Sequence, residues 1–155
     1  MVSPELLRRY PFFGGLTNDH LNGVAMLAED VIYEKGETIF EANQPANALF
    51  FLIEGNVELH YVVVDELNPQ LRKDLFVTEI NEGEPFGISA VIEPFVYTGT
   101  MLATRVSRVL RFDANGLRAL CTVDAKIDAA LMRQIAAAAM SRLEGTRAQL
   151  VAARA

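Results

Sequence analysis

The stretch GEPFGISAVIEPFVYTGTMLA, residues 83–103, turns tightly at Gly83, opens one turn of helix after Gly87, breaks at Pro94 and runs on as a strand. A helix beginning straight after a glycine points unpaired backbone amides outward, a common way for a chain to hold phosphate. Yet the only charges in this stretch are Glu84 and Glu93, and no basic residue accompanies them. A phosphate cradle without a cation is the feature the rest of the chain has to explain.

Upstream, residues 29–112 read as short β-rich segments punctuated by turns: DVIYE before KG, ETIFE before ANQPAN, ALFFLIE before GN, then VELHYVVV, DLFVTEI, TGTMLAT and RVLRF. Strands this short and closely spaced predict a rolled barrel or sandwich rather than alternating β-α units. The charged insert DELNPQLRK (65–73) reads as the exposed loop of a long hairpin. On either side the pattern is helical. ELLRRYPFF stops at Pro11, and Thr17 is placed to cap TNDHLNGVAMLAE, with Leu21, Val24, Ala25 and Ala28 on one face. Asp113 is placed to cap ANGLRALC, and Asp124 a helix running nearly to the end. The expected organisation is a single domain: N-terminal helices (1–28), a β-roll (29–112) and C-terminal helices (113–155).

In the last helix Ile127, Leu131, Ile135, Ala138, Arg142, Gly145 and Gln149 follow a roughly heptad stripe. About 30 helical residues span ~45 Å, more than a domain of this size covers alone. The stripe therefore predicts a homodimer through that helix, with helices approaching closely over alanine and glycine, ahead of the alternative of a helix folded back on the β unit with its tail fraying.

Composition sets outer bounds. The chain has 155 residues, 51% of them hydrophobic and 22% charged, which excludes disorder. No apolar run reaches the ~18 residues of a membrane span, and no secretion signal opens the chain, so cytoplasmic residence is the expectation. The net charge of −6 argues against direct nucleic-acid binding by this chain alone. One cysteine, Cys121, excludes an intramolecular disulfide and a cysteine-built metal site; it falls in an apolar helical stretch and reads as an inert thiol. His60 lies mid-strand and reads as a half-exposed strand residue. No base, nucleophile and oxyanion site assemble from these residues, so no catalytic residue and no metal ligand are assigned, and the chain is not expected to be an enzyme.

The order of elements, together with PFFGGLTNDHL, EKGETIFEANQPANALFFLIEGNVELH, GEPFGISAVI and LMRQIAAAAMSRLEGTR, resembles the cyclic nucleotide-binding domain, in particular the sensor half of the bacterial cyclic-AMP receptor and related regulators. The spacing of Gly36, Gly55, Gly83 and Gly87 across four turns is the specific part. The resemblance implies a jelly-roll β-roll (a double-stranded β-helix) with flanking helices. It places a ligand against Phe86, Gly87, Ile88, Ser89, Ala90, Tyr97 and Thr98, with Arg142 and Thr146 reaching over from the last helix. The family pattern has a glutamate just after the cradle glycine for the ribose hydroxyls, and an arginine about nine positions later for the phosphate. Here those positions hold Ile88 and Tyr97. A hydrogen bond to a charged group contributes roughly 1.5–3 kcal/mol, so the two losses cost ~3–6 kcal/mol, or two to four decades of affinity. A cyclic nucleotide is thus disfavoured, and no cofactor is called for.

Ile88, Ala90, Val91, Phe95 and Tyr97 make the pocket more apolar, which suits an uncharged or aromatic small-molecule effector, or Tyr97 itself as an internal plug. The expected function is a sensor or regulatory domain that dimerises and signals to a downstream protein. The alternatives are a ligand-free dimeric scaffold, or the sensor part of a transcription regulator whose helix-turn-helix is lost or removed, since the receptor family continues into such a domain and QLVAARA shows none.

Overall fold

A computed structural model describes all residues, Met1–Ala155. Two helices, α1 (Pro4–Arg8) and α2 (Asn18–Ala25), flank a 3-10 turn at Pro11–Phe13. Eight strands follow: β1 (Ala28–Tyr33), β2 (Thr38–Phe40), β3 (Ala48–Glu54), β4 (Val57–Val64), β5 (Arg72–Ile80), β6 (Pro85–Phe86), β7 (Thr100–Ala103) and β8 (Ser107–Asp113). A 3-10 helix, Ile88–Val91, sits between β6 and β7, and α3 (Ala114–Val123) and α4 (Ala125–Arg154) close the chain. The strands form two antiparallel four-stranded sheets, ordered β1-β8-β3-β6 and β2-β7-β4-β5. This is the jelly-roll arrangement expected.

The turns and caps follow from local chemistry. Gly36, Gly55, Gly83 and Gly87 all have positive φ, which glycine adopts without steric cost. Thr17 and His20 form a reciprocal capping box at α2. Asp113 accepts from the Gly116 amide, and Asp124 from the amides of Lys126 and Ile127, so both carboxylates cap the helices they precede. The Asp124 carboxyl lies below its ordinary pKa, chiefly through the Ile127 amide.

Strand β3 explains why the site is where it is. Six of its seven residues are buried without alternation, the signature of a strand covered on both faces. On one face Phe51 meets Tyr10, Phe12 and Phe13 of the N-terminal segment, with Phe13 also against Phe112. On the other, Phe50 stacks on Phe86 (5.1 Å between centroids) and on Phe40 (5.7 Å) inside the roll. One strand thus joins the helical core to the aromatic floor beneath Gly87.

The structure corrects the orientation of the last helix. Ile127, Leu131, Ile135 and Ala138 are all buried in the chain's own core. Leu131 shares an apolar cluster with Phe12, Phe13, Leu49 and Phe112. Arg142 reaches the Pro85 carbonyl, and a Cβ on Gly145 would come within 2.9 Å of the Thr78 side chain. The stripe expected to pair with a second copy faces its own roll, because the apolar area on the N-terminal segment and on β5 is already there to receive it. The outward face of α4 carries Ala136, Met140, Leu143, Arg147 and Leu150, all exposed. No helix is long and apolar enough to cross a membrane.

Candidate ligand-binding site

Gly87 holds φ at 68°, and the reason lies behind it as well as in the turn. A Cβ there would meet the Phe50 ring at 3.1 Å, the Phe40 ring at 3.2 Å and the Ala48 carbonyl at 3.3 Å. Close aromatic packing therefore reinforces the preference for glycine at this left-handed position. From Gly87 the chain enters the Ile88–Val91 turn, whose Ile88 and Ser89 amides have no protein acceptor. The backbone half of an anion cradle is present.

The side chains around it are mainly apolar. Above the turn lies a cavity of about 210 Å³. Phe86, Gly87, Ile88, Ser89, Tyr97 and Thr98 line it as expected, joined by Phe40, Leu59 and Met101 from the roll and Ala139 and Arg142 from α4. Ala90 departs from expectation: it is fully buried beneath the turn rather than lining the space. Tyr97 stacks on Phe40 with centroids 3.7 Å apart and planes within 14°. Its hydroxyl donates to the Ala48 carbonyl at 2.6 Å and accepts from the Ala48 amide at 3.3 Å. Burial raises the phenol's pKa, the bond to the Ala48 backbone opposing the shift, so the group is neutral and fully engaged at physiological pH.

Arg142 is the only base lining this cavity, and it is committed. Its guanidinium donates to the Pro85 carbonyl and lies 3.6 Å from the Glu84 carboxylate. Desolvation lowers its pKa, with Glu84 acting in the opposite sense. Arg105, the first arginine after Tyr97 in sequence, sits at the β7–β8 turn on the Gly55 carbonyl and does not line the cavity.

A second, larger space adjoins the first and shares Leu59, Thr98 and Gly99 with it. This groove of about 580 Å³ runs between the β4–β5 hairpin and the end of α4. Its walls are mainly apolar, with Leu75, Phe76 and Leu150 prominent, and Thr146 and Gln149 face it from the helix. The Thr146 hydroxyl donates to the Arg142 carbonyl one turn back. His60, also on the wall, is held between Asp74 (2.6 Å) and Glu58 (3.0 Å). Burial opposes charging of this imidazole, but the two carboxylate bonds outweigh it and raise the pKa above the ordinary histidine value.

The family profile for the cyclic nucleotide-binding domain matches residues 30–124, the roll from within β1 onward with its cradle turn and α3. The chain belongs to the cyclic nucleotide-binding domain family. A proposed cyclic nucleotide-binding protein from Geobacter metallireducens GS-15 is 34% identical, with a TM-score of 0.79 over 92% of this chain and 99% of that one. A proposed potassium channel protein of Rhodopseudomonas palustris is 30% identical over 120 residues, 77% of this chain. The chain spans about a quarter of that curated relative's length (27%). The sensor domain of the transcriptional regulator DNR from Pseudomonas aeruginosa shares the fold at 20% identity, with a TM-score of 0.67 over 87% of this chain and 91% of that one.

Within this cyclic nucleotide-binding domain, sequence reasoning missed Arg118. Its Nε donates to the Ala90 carbonyl at 2.8 Å and Nη2 to the Ala46 carbonyl at 2.9 Å, while the guanidinium lies 3.8 Å from the Phe95 ring centroid. The one available signal was a basic residue inside the otherwise apolar LRALC. Phe40, central to the floor, gave none beyond being apolar in a strand.

Proposed function

We propose that this domain is a non-enzymatic regulatory module responsive to an uncharged, largely apolar small molecule rather than to a cyclic phosphodiester. The observation that carries this reading is Tyr97: it stands at the family's phosphate-arginine position, lies flat on Phe40, and spends its hydroxyl on Ala48. A cyclic phosphate entering here would meet Ile88 and a phenol with no free donor, and an arginine already paired with Glu84. A planar aromatic body, by contrast, matches the apolar groove, with Thr98, Thr146 and Gln149 available for one or two directional bonds.

Output passes through α4, which forms walls of both spaces. Its exposed stripe of Ala136, Met140, Leu143, Arg147 and Leu150 repeats at alternating steps of four and three, the spacing of a two-helix seam. With Met140 68%, Leu143 48% and Leu150 55% exposed, this face is the one we assign to a homodimer, in place of the inward stripe.

A thermal-shift panel of cyclic AMP, cyclic GMP and planar aromatic compounds tests the ligand reading. A compound present at 100 times its Kd should add ~2.7 kcal/mol of stability. Stabilisation by aromatics alone is the expected result. A response to the cyclic nucleotides at micromolar concentration would overturn it, and a flat response throughout would favour the ligand-free scaffold, for which the self-satisfied Tyr97 is the supporting observation.

A further inference from the structure

Arg118 is the side chain the proposed function leaves unused, and it joins segments that otherwise meet nowhere else through a cation. It stands in α3. Its Nε reaches the Ala90 carbonyl of the cradle turn (2.8 Å), Nη2 the Ala46 carbonyl of the β2–β3 loop (2.9 Å), and Nη1 the Asn115 side chain one turn back (3.1 Å). Its plane covers the ring of Phe95, a non-glycine residue held at φ 59°. Phe95 in turn accepts from the Ala46 amide at 2.8 Å and donates to Ile92 at 2.9 Å. Cradle turn, β2–β3 loop and the segment leading to Tyr97 are thus bound to a single guanidinium.

We infer that Arg118 is a positioning residue that makes the cradle segment and the C-terminal helices one cooperative unit. The chemistry favours arginine specifically. A planar fork donates to two carbonyls at once while its face lies on an aromatic ring; the point charge of a lysine does only one of these at a time. The two carbonyls belong to irregular backbone, where no ladder holds them, so the fork supplies their fixed partner. α3 ends at Val123, and α4 starts at Ala125 with only the Asp124 cap between. A displacement of Ala90 by anything entering the cradle therefore pulls on α3 directly, and through Asp124 on α4. The inference builds on reading the cradle as the responsive element, but its contacts exist without a ligand, and so does its test.

That test is amide hydrogen exchange, followed residue by residue by NMR on the ligand-free protein, with urea unfolding to measure global stability. In the wild type the Ala90, Ile92 and Ala46 amides, which bond Gly87, Ser89 and Phe95 respectively, should exchange within about 3-fold of the Asp124 amide at the end of α3, as members of one opening unit do. In Arg118→Met the first three should speed by at least ~30-fold relative to Asp124, about 2 kcal/mol at ~1.4 kcal/mol per decade. The Leu52 amide, bonded to Glu84 just before the neighbouring β6 in the same sheet, should change only as global stability does. Arg118→Lys, which keeps the charge and a single donor direction, should fall between, and it reports even if the methionine variant does not fold. A uniform acceleration of every amide would reduce Arg118 to a general stabiliser and overturn the inference. So would separate opening of the cradle and α3 in the wild type. Neither outcome touches the ligand reading, which the thermal-shift panel decides.

Discussion

Replacing Tyr97 by phenylalanine isolates the plug from the volume it fills. The ring stays, so the stack on Phe40 survives, and only the hydroxyl goes. That hydroxyl serves both the carbonyl and the amide of Ala48, whose exposure is 1%, with Tyr97 itself at 5%. Depriving a buried polar group of its partner costs ~1–3 kcal/mol; the 2.6 Å bond is the strong one and the 3.3 Å contact weak, so the total should be about 2 kcal/mol. For a chain of this length that corresponds to a fall in Tm of ~4–8 °C. Urea unfolding at pH 7 should show the loss with an unchanged m-value, since the packing is retained. The same pair of proteins gives a second reading at high pH. Burial raises the Tyr97 pKa, so above ~10 the unfolded phenol loses its proton before the native one. The native state then holds more protons, and stability contributed by this group declines as pH rises through the folded pKa; Tyr97→Phe should lack that part of the alkaline slope. A loss under ~0.5 kcal/mol at pH 7 would refute the reasoning, because an ordinary surface substitution does as much.

Further outcomes follow from the same geometry. Tyr97→Ala should cost ~3–5 kcal/mol and leave an enlarged hollow that indole stabilises in a thermal-shift assay, while the wild type does not respond through this cavity. Ile135→Ala should weaken folding by ~2–4 kcal/mol in urea without changing the association state, since Ile135 is core. The double change Met140→Glu with Leu143→Lys should do the reverse, giving a monomer in sedimentation equilibrium with near-normal unfolding. His60 should make the protein less stable as pH rises. Its pKa is raised in the fold, so its contribution is complete below ~6.5 and disappears as pH passes through the folded value; His60→Gln should flatten urea midpoints measured between pH 5.5 and 8.5.

What could be read from the sequence was what local chemistry dictates. The four turn glycines have positive φ at bends between strands and, at Gly87, at the entry to the 3-10 turn, and Asp113 and Asp124 cap because their carboxylates reach the next amides. That Ile88 and Tyr97 line the space beside Gly87 was also legible, since it depends on residue type at a known spacing. Which face of α4 packs on the chain's own roll was not. Both stripes on α4 have the spacing of a helix seam, and periodicity alone says nothing about which one finds a partner inside the chain. The decision came from β5 and from the Phe12–Phe13 turn, more than a hundred residues upstream in the latter case. Arg118 was hidden for a similar reason: in sequence it is one charge on a short helix, indistinguishable from a solvated one until Ala46, Ala90 and Phe95 are brought around it.

The same logic explains how the turn after Gly87 is held by the chain's own side chains. In a site held together by a bound phosphate, removing the anion's partners should leave the turn after Gly87 loosely held. Here three substitutes act on it without any ligand. Tyr97 and Phe40 fill the floor, Arg142 ties α4 to the Pro85 carbonyl just before the turn, and Arg118 holds Ala90 just within it. The two arginines approach from opposite ends of the turn and from different helices, so each helix has its own grip on the cradle. A ligand that loosened only one of these grips would tilt α4 rather than translate it, and the exposed Met140–Leu143–Leu150 face would turn with it. The Arg142 grip can be tested by itself. Arg142→Leu removes the bond to Pro85 and leaves Glu84 facing apolar surface; with the pair only 13% and 28% exposed, its stability loss should exceed the ~1 kcal/mol ceiling of a surface ion pair. A smaller loss, measured in urea beside Glu84→Gln, would mean that α4 rests on the roll by packing alone and that the cradle is gripped from α3 only.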